Sequence, residues 1–285
     1  MAAARVTTYD ELRTAISERY IALPRQLRRV AEVALERPHD LALKTVAALA
    51  GDAGVQPSTL VRFANALGFD GFSAMQELFR SHLIECSLPY RERIARMRLE
   101  HANGSTRPAD ILRGFVAESM RGLEHLPTAI APATFNAAVR LVATAQRIDV
   151  LAYRRSFPVA CYLAYALGQL ELGAELLNGM GGMNAVYAER LTRKDALIVV
   201  SFRNYTAEGV DIAAACHARG VPVIAITDGP LSPLTRSARV CLEIGDDGRQ
   251  PFRSLVEPMC LAQALVVSVG HRIAERTGAT RRRTH

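Results

Sequence analysis

Two groups of side chains stand at spacings that could do chemistry. The first is Ser58, Thr59, Arg62 and Asn65. On a helix these four share one face, and that face suits the reading of a nucleic-acid groove. An arginine there bonds guanine in bidentate fashion, and an asparagine does the same for adenine. The two hydroxyls, together with the free N–H groups of a helix start, favour a phosphate. Lys44 and Thr45, in the first turn of the first helix concerned, and Gln56, just ahead of the second, complete the candidate DNA contacts. The second group is Arg154, Arg155 and Ser156 with Ser201, Arg203, Asn204 and Thr206. Guanidinium groups and hydroxyls beside helix starts make an anion pocket. The loops that carry them hold no paired carboxylates and no nucleophile–base set. No catalytic residue, cofactor or metal site is therefore expected.

The first group needs two short helices joined by a tight turn. The string Leu43 to Ala53, then Gly54-Val55-Gln56, then Pro57 to Leu67 supplies them. Gly54 suits the position where φ is positive. Val55 tucks between the helices, and Pro57 sits at the first position of the second helix, where its missing N–H costs nothing. Leu60, Phe63, Ala64 and Leu67 then share the inward face. An ordinary helical hairpin with a polar outer face satisfies the same spacing, because such motif matches carry false positives. The rest of residues 8–85 reads as further short helices. Thr8 caps the first with Glu11 completing a capping box. Another follows Leu23-Pro24 and ends at Arg37-Pro38, and Ser73 caps one running through His82.

The second group needs a different scaffold. After Arg147, short apolar runs at 148–153, 174–178, 196–201, 221–227 and 240–244 alternate with helical patterns near 157–171, 183–191, 207–219 and 232–237. That alternation implies a parallel sheet with helices on both faces, closed by a long helix of about 252–277. Ligands of such sheets bind beyond the carboxyl ends of the strands, where Tyr153–Ser156, Ser201–Thr206 and Thr227–Leu234 fall. Ser156, Thr206 and Ser232 serve equally well as helix caps. The run Gly179-Met180-Gly181-Gly182 reads as a strand-to-helix turn. Between the two scaffolds, 86–130 reads as a connector broken at Asn103–Pro108.

Composition agrees with both. The 285 residues suit about two domains. Hydrophobic residues make up 49% and charged residues 22%, ordinary for a globular chain. The net charge of +7 suits a polyanionic partner, and arginines cluster in the first hundred residues, among them Arg25, Arg28, Arg29, Arg62 and Arg80. Aromatics are only 6%, with no Trp, too few for a single-strand stacking platform. Five well-spaced cysteines without CxxC argue for reduced thiols in a cytoplasm and against zinc. No apolar stretch has signal-peptide or membrane-span length.

The stretch Leu43–Phe79, with Gly54-Val55, Ser58-Thr59, Arg62-Phe63 and Leu67-Gly68-Phe69-x-Gly71-Phe72, resembles the N-terminal domain of the RpiR/MurR family of bacterial regulators. Residues of about 128–275 resemble the sugar isomerase (SIS) domain, which forms the other half of that family. Ile226-Thr227-Asp228 with Ser232-Pro233-Leu234, and the Ser201–Thr206 loop, carry this likeness best. The resemblance implies Ser156, Ser201 and Thr206 as phosphosugar contacts. The chain departs from the family in three places. Gln56-Pro57 stands where Ser often follows the Val. Ala152-Tyr153-Arg154-Arg155-Ser156 replaces Gly-x-Gly-x-Ser. Arg203 and Asn204 replace the inner Ser and Gly of Ser-x-Ser-Gly-x-Thr. Losing those glycines narrows backbone access to a phosphate, while three arginines add bidentate donors. An anionic effector held by arginine is the expectation. The acid–base Glu and His of SIS isomerases have Glu257 and His271 as nearest candidates, about 21 Å apart on one helix at 1.5 Å per residue.

The resulting expectation is an all-α helix-turn-helix domain over 5–85, a helical connector over 86–127, an α/β SIS domain with a five-stranded parallel sheet over 128–275, and a basic tail over 276–285. Its partners are a double-stranded DNA operator, a phosphosugar or other small anionic effector, and a second or further copies of the chain as homodimer or homotetramer, with no membrane. The rivals are a phosphosugar isomerase with an accessory helical domain, and a non-sensing DNA binder whose SIS domain only dimerises.

Overall fold

A computed structural model describes residues 6, 8–87, 90–92, 94, 107–230, 232–245 and 252–283. The chain divides into two compact units, residues 1–105 with 247–251, and residues 106–246 with 252–285.

The first unit is helical: α1 (Tyr9–Arg19), α2 (Arg25–Glu36), α3 (Pro38–Leu43), α4 (Val46–Asp52), α5 (Pro57–Ala66) and α6 (Phe72–Ser87). The capping box forms as the sequence implies: Glu11 N–H donates to Thr8 Oγ1 at 3.2 Å, and Thr8 N–H donates to Glu11 Oε2 at 3.2 Å. Leu12, Leu27, Val30, Leu60, Phe63 and Phe79 lie in one apolar cluster. Tyr9 meets Phe79 edge-on at 5.3 Å, a favoured aromatic arrangement. The expected single helix over 43–53 is corrected here. Leu43 ends α3, Lys44 is extended, and Thr45 turns its hydroxyl onto Ala48 N–H at 3.3 Å to start α4. A threonine that caps the backbone competes with helix continuation, and at this position the cap wins.

The second unit opens with α7 (Pro108–Ala129) and α8 (Pro132–Thr144), so the helix read as a connector belongs to this unit. Next come β1 (Ile148–Ala152), α9 (Phe157–Gly168), β2 (Ala174–Leu177), α10 (Asn184–Ala188), β3 (Ala196–Val200), α11 (Ala207–Ala218), β4 (Val223–Thr227) and β5 (Val240–Glu243). The last element is α12 (Val256–Arg283). It is longer than expected, so Arg281 to Arg283 continue the helix where a tail was anticipated. The five strands pair in parallel in the order β2-β1-β3-β4-β5.

Residues of β1, β3 and β4 are buried throughout, which is why they read as continuous apolar runs. Alternate residues face opposite ways. Val150, Ile198 and Ile224 pack with Val142 of α8, Leu163 of α9 and Leu265 of α12. Leu151, Leu197 and Val223 pack with Ala188 of α10 and Ile212 of α11. The result is helix–sheet–helix layering. The chain leaves β1 for β2 on one side and returns as β3 on the other. The loops after β1 and β3 therefore adjoin at the switch point.

Candidate nucleic-acid interface and ligand loops

The helical pair α4–α5 is closed by its glycines. After α4, Gly54 takes φ +61°, with Gly54 N–H bonded to Gly51 O at 3.0 Å and Val55 N–H to Ala50 O at 2.9 Å. After α5, Gly68 takes φ +91°, with Gly68 N–H on Asn65 O and Phe69 N–H on Ala64 O, both at 3.0 Å. Both helices thus end in the Schellman arrangement, each followed by a residue, Val55 or Phe69, packed on the core. Pro57 opens α5 at its first turn, and Gln56 makes no side-chain cap there.

The reading face follows. Ser58, Arg62 and Asn65 are exposed on α5, and Leu60, Phe63, Ala64 and Leu67 are buried. Thr59 corrects the sequence assignment. It is only 6% exposed and belongs to the inner face, because position 59 precedes Phe63 by one helical turn. Asn65 Oδ1 accepts from Gly71 N–H at 3.3 Å, so this side chain also fixes the following turn. Lys44 is held between Asp40 and Asp52 at 3.0 and 2.8 Å. These carboxylates push its ammonium pKa up, chiefly through the Asp52 bond. Thr45 caps α4, and Gln56 is exposed at the start of α5.

Several side chains of this unit donate to the carbonyls where helices meet. Arg28 Nε reaches Leu23 O at 2.8 Å, Arg80 Nε reaches Ala42 O at 3.1 Å, and Gln76 Nε2 reaches Leu41 O and Lys44 O at 2.8 and 2.9 Å. Arg19 Nη1 donates to Ala66 O at 2.7 Å and Arg29 Nη1 to Gly54 O at 3.2 Å. Arginine richness, read from sequence as a polyanion footprint, is thus partly a set of internal joints.

In the second unit, the two loops keep the backbone of the glycines they lack. Arg154 takes φ +53° and Asn204 takes φ +69°, the left-handed region that costs other residues energy. These two residues stand where the SIS pattern has Gly. Arg155 Nη2 donates to Arg203 O at 3.2 Å and ties the loops together. Ser156 is buried and Ser201 half-buried, and neither Ser156 nor Thr206 makes a side-chain cap bond. Ser232 does cap: its hydroxyl accepts from Leu234 N–H at 3.3 Å and from Thr227 Oγ1 at 2.7 Å.

Sequence reasoning missed three residues here. Asp228, buried after β4, accepts from Arg203 N–H at 3.2 Å, from Thr227 Oγ1 at 3.3 Å and from the Tyr205 hydroxyl. It shapes the β3 loop, and its one signal was its place in the Ile226–Leu234 string. Glu243, at the end of β5 and paired in register with Thr227 of β4, has its carboxyl raised by burial and then by Asp228. Arg253 lies 4.1 Å over the Phe202 ring and donates to Ile244 O at 2.9 Å.

Tyr153 fills the space beside α11. A Cβ on Gly209 would stand 3.2 Å from its ring. Its hydroxyl accepts from Asn184 Nδ2 at 3.0 Å, and Asn184 Oδ1 in turn accepts from Gly179 N–H at 2.8 Å. Burial above all pushes the phenol up to about 12. The Gly179–Gly182 run is the turn it was read as. Glu257 lies against Gly122 of α7, so closely that a Cβ there would meet Oε1 at 1.8 Å, a packing position.

Comparison with known proteins agrees with this geometry. Residues 11–85 match the helix-turn-helix domain of the rpiR family, and residues 141–268 match the SIS domain. The chain is 24% identical over 262 residues to the HTH-type transcriptional regulator HexR of Pseudomonas aeruginosa, covering 89% of this chain and 87% of that protein. Its fold is similar to that of Vibrio vulnificus NanR complexed with ManNAc-6P, with TM-score 0.57, 21% identity and 96% of each chain covered. The sugar isomerase domain of an RpiR transcription factor from Sphaerobacter thermophilus gives TM-score 0.53 at 25% identity, over 60% of this chain and 96% of that one. With an rpiR-type helix-turn-helix domain followed by a SIS domain, the chain belongs to the RpiR family of transcription regulators.

Proposed function

We propose that the chain is a cytoplasmic DNA-binding regulator that works as a homodimer or homotetramer on a near-palindromic operator, and that its SIS domain senses a phosphosugar or related anionic metabolite. The observation that carries the first half is the exposed face of α5, where Ser58, Arg62 and Asn65 stand clear of the core. A helix of this kind reads bases with the residues of its first turns. Arg62→Ala then relaxes one operator position by about 1–3 kcal/mol. Lys44, Thr45 and Gln56 flank the helix starts and remain candidates for backbone contact. Self-association is supported by α7, whose Ile111, Leu112, Phe115, Val116 and Met120 are all exposed apolar side chains, a stripe that marks an interaction face.

The sensing half is supported by the paired loops after β1 and β3. Arg154, Arg155 and Arg203 offer donors for an anion there, with Ser156, Ser201, Asn204 and Thr206 beside them. Strain held at Arg154 points the same way, since a non-glycine residue at φ +53° persists where its side chain is needed. NanR supports the ligand class by its complex with ManNAc-6P. The absence of catalysis is supported by HexR, a named regulator, and by Asp228, whose oxygens are engaged in organising the β3 loop. One observation favours a sensor-free variant: Tyr153 occupies space beside α11. A panel of hexose and hexosamine phosphates, followed by thermal unfolding and by product analysis, decides among these. A rise in midpoint without turnover is expected. No rise for any member favours a SIS domain that only dimerises, and conversion of one sugar favours an isomerase.

A further inference from the structure

We propose that Arg19 and Arg29 are positioning residues for α5, and that sequence discrimination depends on them through their carbonyl bonds, not through phosphate contact. This rests on the DNA-binding reading above. The helix α5 has no side-chain cap at its start and no basic residue in its last turn, and the Schellman turn at its end engages Ala64 O and Asn65 O but not Ala66 O. Carbonyls in the last turn of a helix lack intrahelical partners, and the helix dipole favours a cation there. Arg19, the last residue of α1, supplies both by donating to Ala66 O at 2.7 Å. Arg29, from α2, donates to Gly54 O in the turn ahead of α5 at 3.2 Å. A Cβ at Gly54 would lie 3.6 Å from Arg29 Nη1, an ordinary contact, so it is the positive φ that calls for glycine there.

The two bonds come from different helices and grip opposite ends of the same element. A guanidinium is a planar fork that holds direction as well as distance, and base readout depends on side chains reaching base edges at the right angle. Loosening either grip leaves the hydrogen-bonding groups of Ser58, Arg62 and Asn65 unchanged and blurs where they sit.

The test compares the wild-type chain with Arg19→Ala, Arg29→Ala and Arg29→Lys, and with Arg25→Ala as an exposed arginine of α2. Each is titrated with a selected duplex and with a scrambled duplex across a salt series. Unfolding midpoints are recorded alongside, and Arg29→Lys keeps the charge should Arg29→Ala unfold. The expected result is a specific-to-scrambled ratio lowered about tenfold in the Arg19 and Arg29 alanine variants, the order of one charge-assisted hydrogen bond. The slope of log affinity against log salt stays at its wild-type value, Arg29→Lys recovers part of the ratio, and Arg25→Ala keeps the ratio. A slope smaller by about 0.9 in an Arg19 or Arg29 variant, the signature of one lost phosphate contact, overturns the proposal. So does an unchanged ratio. A wild-type ratio of one overturns the DNA-binding reading itself, which separates the two failures.

Discussion

Arg154 and Asn204 show what a residue can cost and what it can keep. Both stand in the left-handed region at loop positions where glycine is free of strain. Arg154→Gly is expected to stabilise the chain by about 1 kcal/mol and at the same time to weaken sugar-phosphate binding. Thermal unfolding paired with ligand titration checks both signs, and a variant that loses stability contradicts the account. Arg147 is the opposite case. It bonds buried Asp149 at 2.8 Å and Glu175 of β2 at 2.7 Å. Burial raises the Asp149 carboxyl, and Arg147 acts against that rise. Arg147→Ala leaves a buried carboxylate without its cation and is expected to cost about 3 kcal/mol in urea unfolding. Glu243 gives a pH-dependent prediction. Burial and Asp228 raise its carboxyl above the ordinary 4.5, so the folded chain holds that proton more tightly than the unfolded one. Stability contributed by this group is therefore full below 4.5 and is lost as pH rises through the folded value. Glu243→Gln should raise the unfolding free energy at neutral pH, with the gain vanishing in acid. An equal effect at both pH values would remove the raised Glu243 carboxyl from the explanation.

Elements were legible in the sequence where one physical rule governed them. The strands β1, β3 and β4 were visible because burial on both faces leaves their runs almost wholly apolar, with Asp149 and Thr227 the exceptions. The turn at Gly54 was visible because few residues tolerate its φ, and Gly54→Ala should cost about 1 kcal/mol although the space for a methyl exists. Illegible parts were those set by long-range partners. Residue type does not separate Thr59 on the inner face from Ser58 on the outer, since each is a small hydroxyl residue; only the one-turn spacing from Thr59 to Phe63 does. The Thr45 hydroxyl has a structural role that its type alone does not announce, as the cap that divides α3 from α4. The joints made by Arg19, Arg28, Arg29 and Arg80 join residues 5 to 47 positions apart, and as a sequence they were only positive charge. Asp228 escaped for the same reason, because two of its donors, Arg203 N–H and the Tyr205 hydroxyl, come from the loop after β3. The apolar stripe of α7 was seen as part of a connector, and its exposure emerges only once the helix is placed in its unit. Leu112→Glu with Val116→Glu should shift the chain to a smaller species in sedimentation, with the helical signal retained.

At the scale of the whole molecule, a helix proposed to read bases and strand-end loops proposed to hold an anion stand in one chain, and regulation by that route requires that they share free energy. Linkage makes the coupling reciprocal: a sugar phosphate that changes operator affinity by some factor must have its own affinity changed by the same factor when operator is bound. In the proposed dimer, two copies of α5 related by a two-fold axis would read half-sites about one helical turn apart or multiples of it, which would tie the assembly to the form of the operator. The most direct measurement is selection of bound sequences from a random duplex pool, repeated at rising salt. The account predicts recovery of one two-fold-related motif that persists at physiological salt, with Arg62→Ala relaxing a single position in each half. Binding without a motif, fading steeply as salt rises, reports phosphate attraction alone and would contradict it.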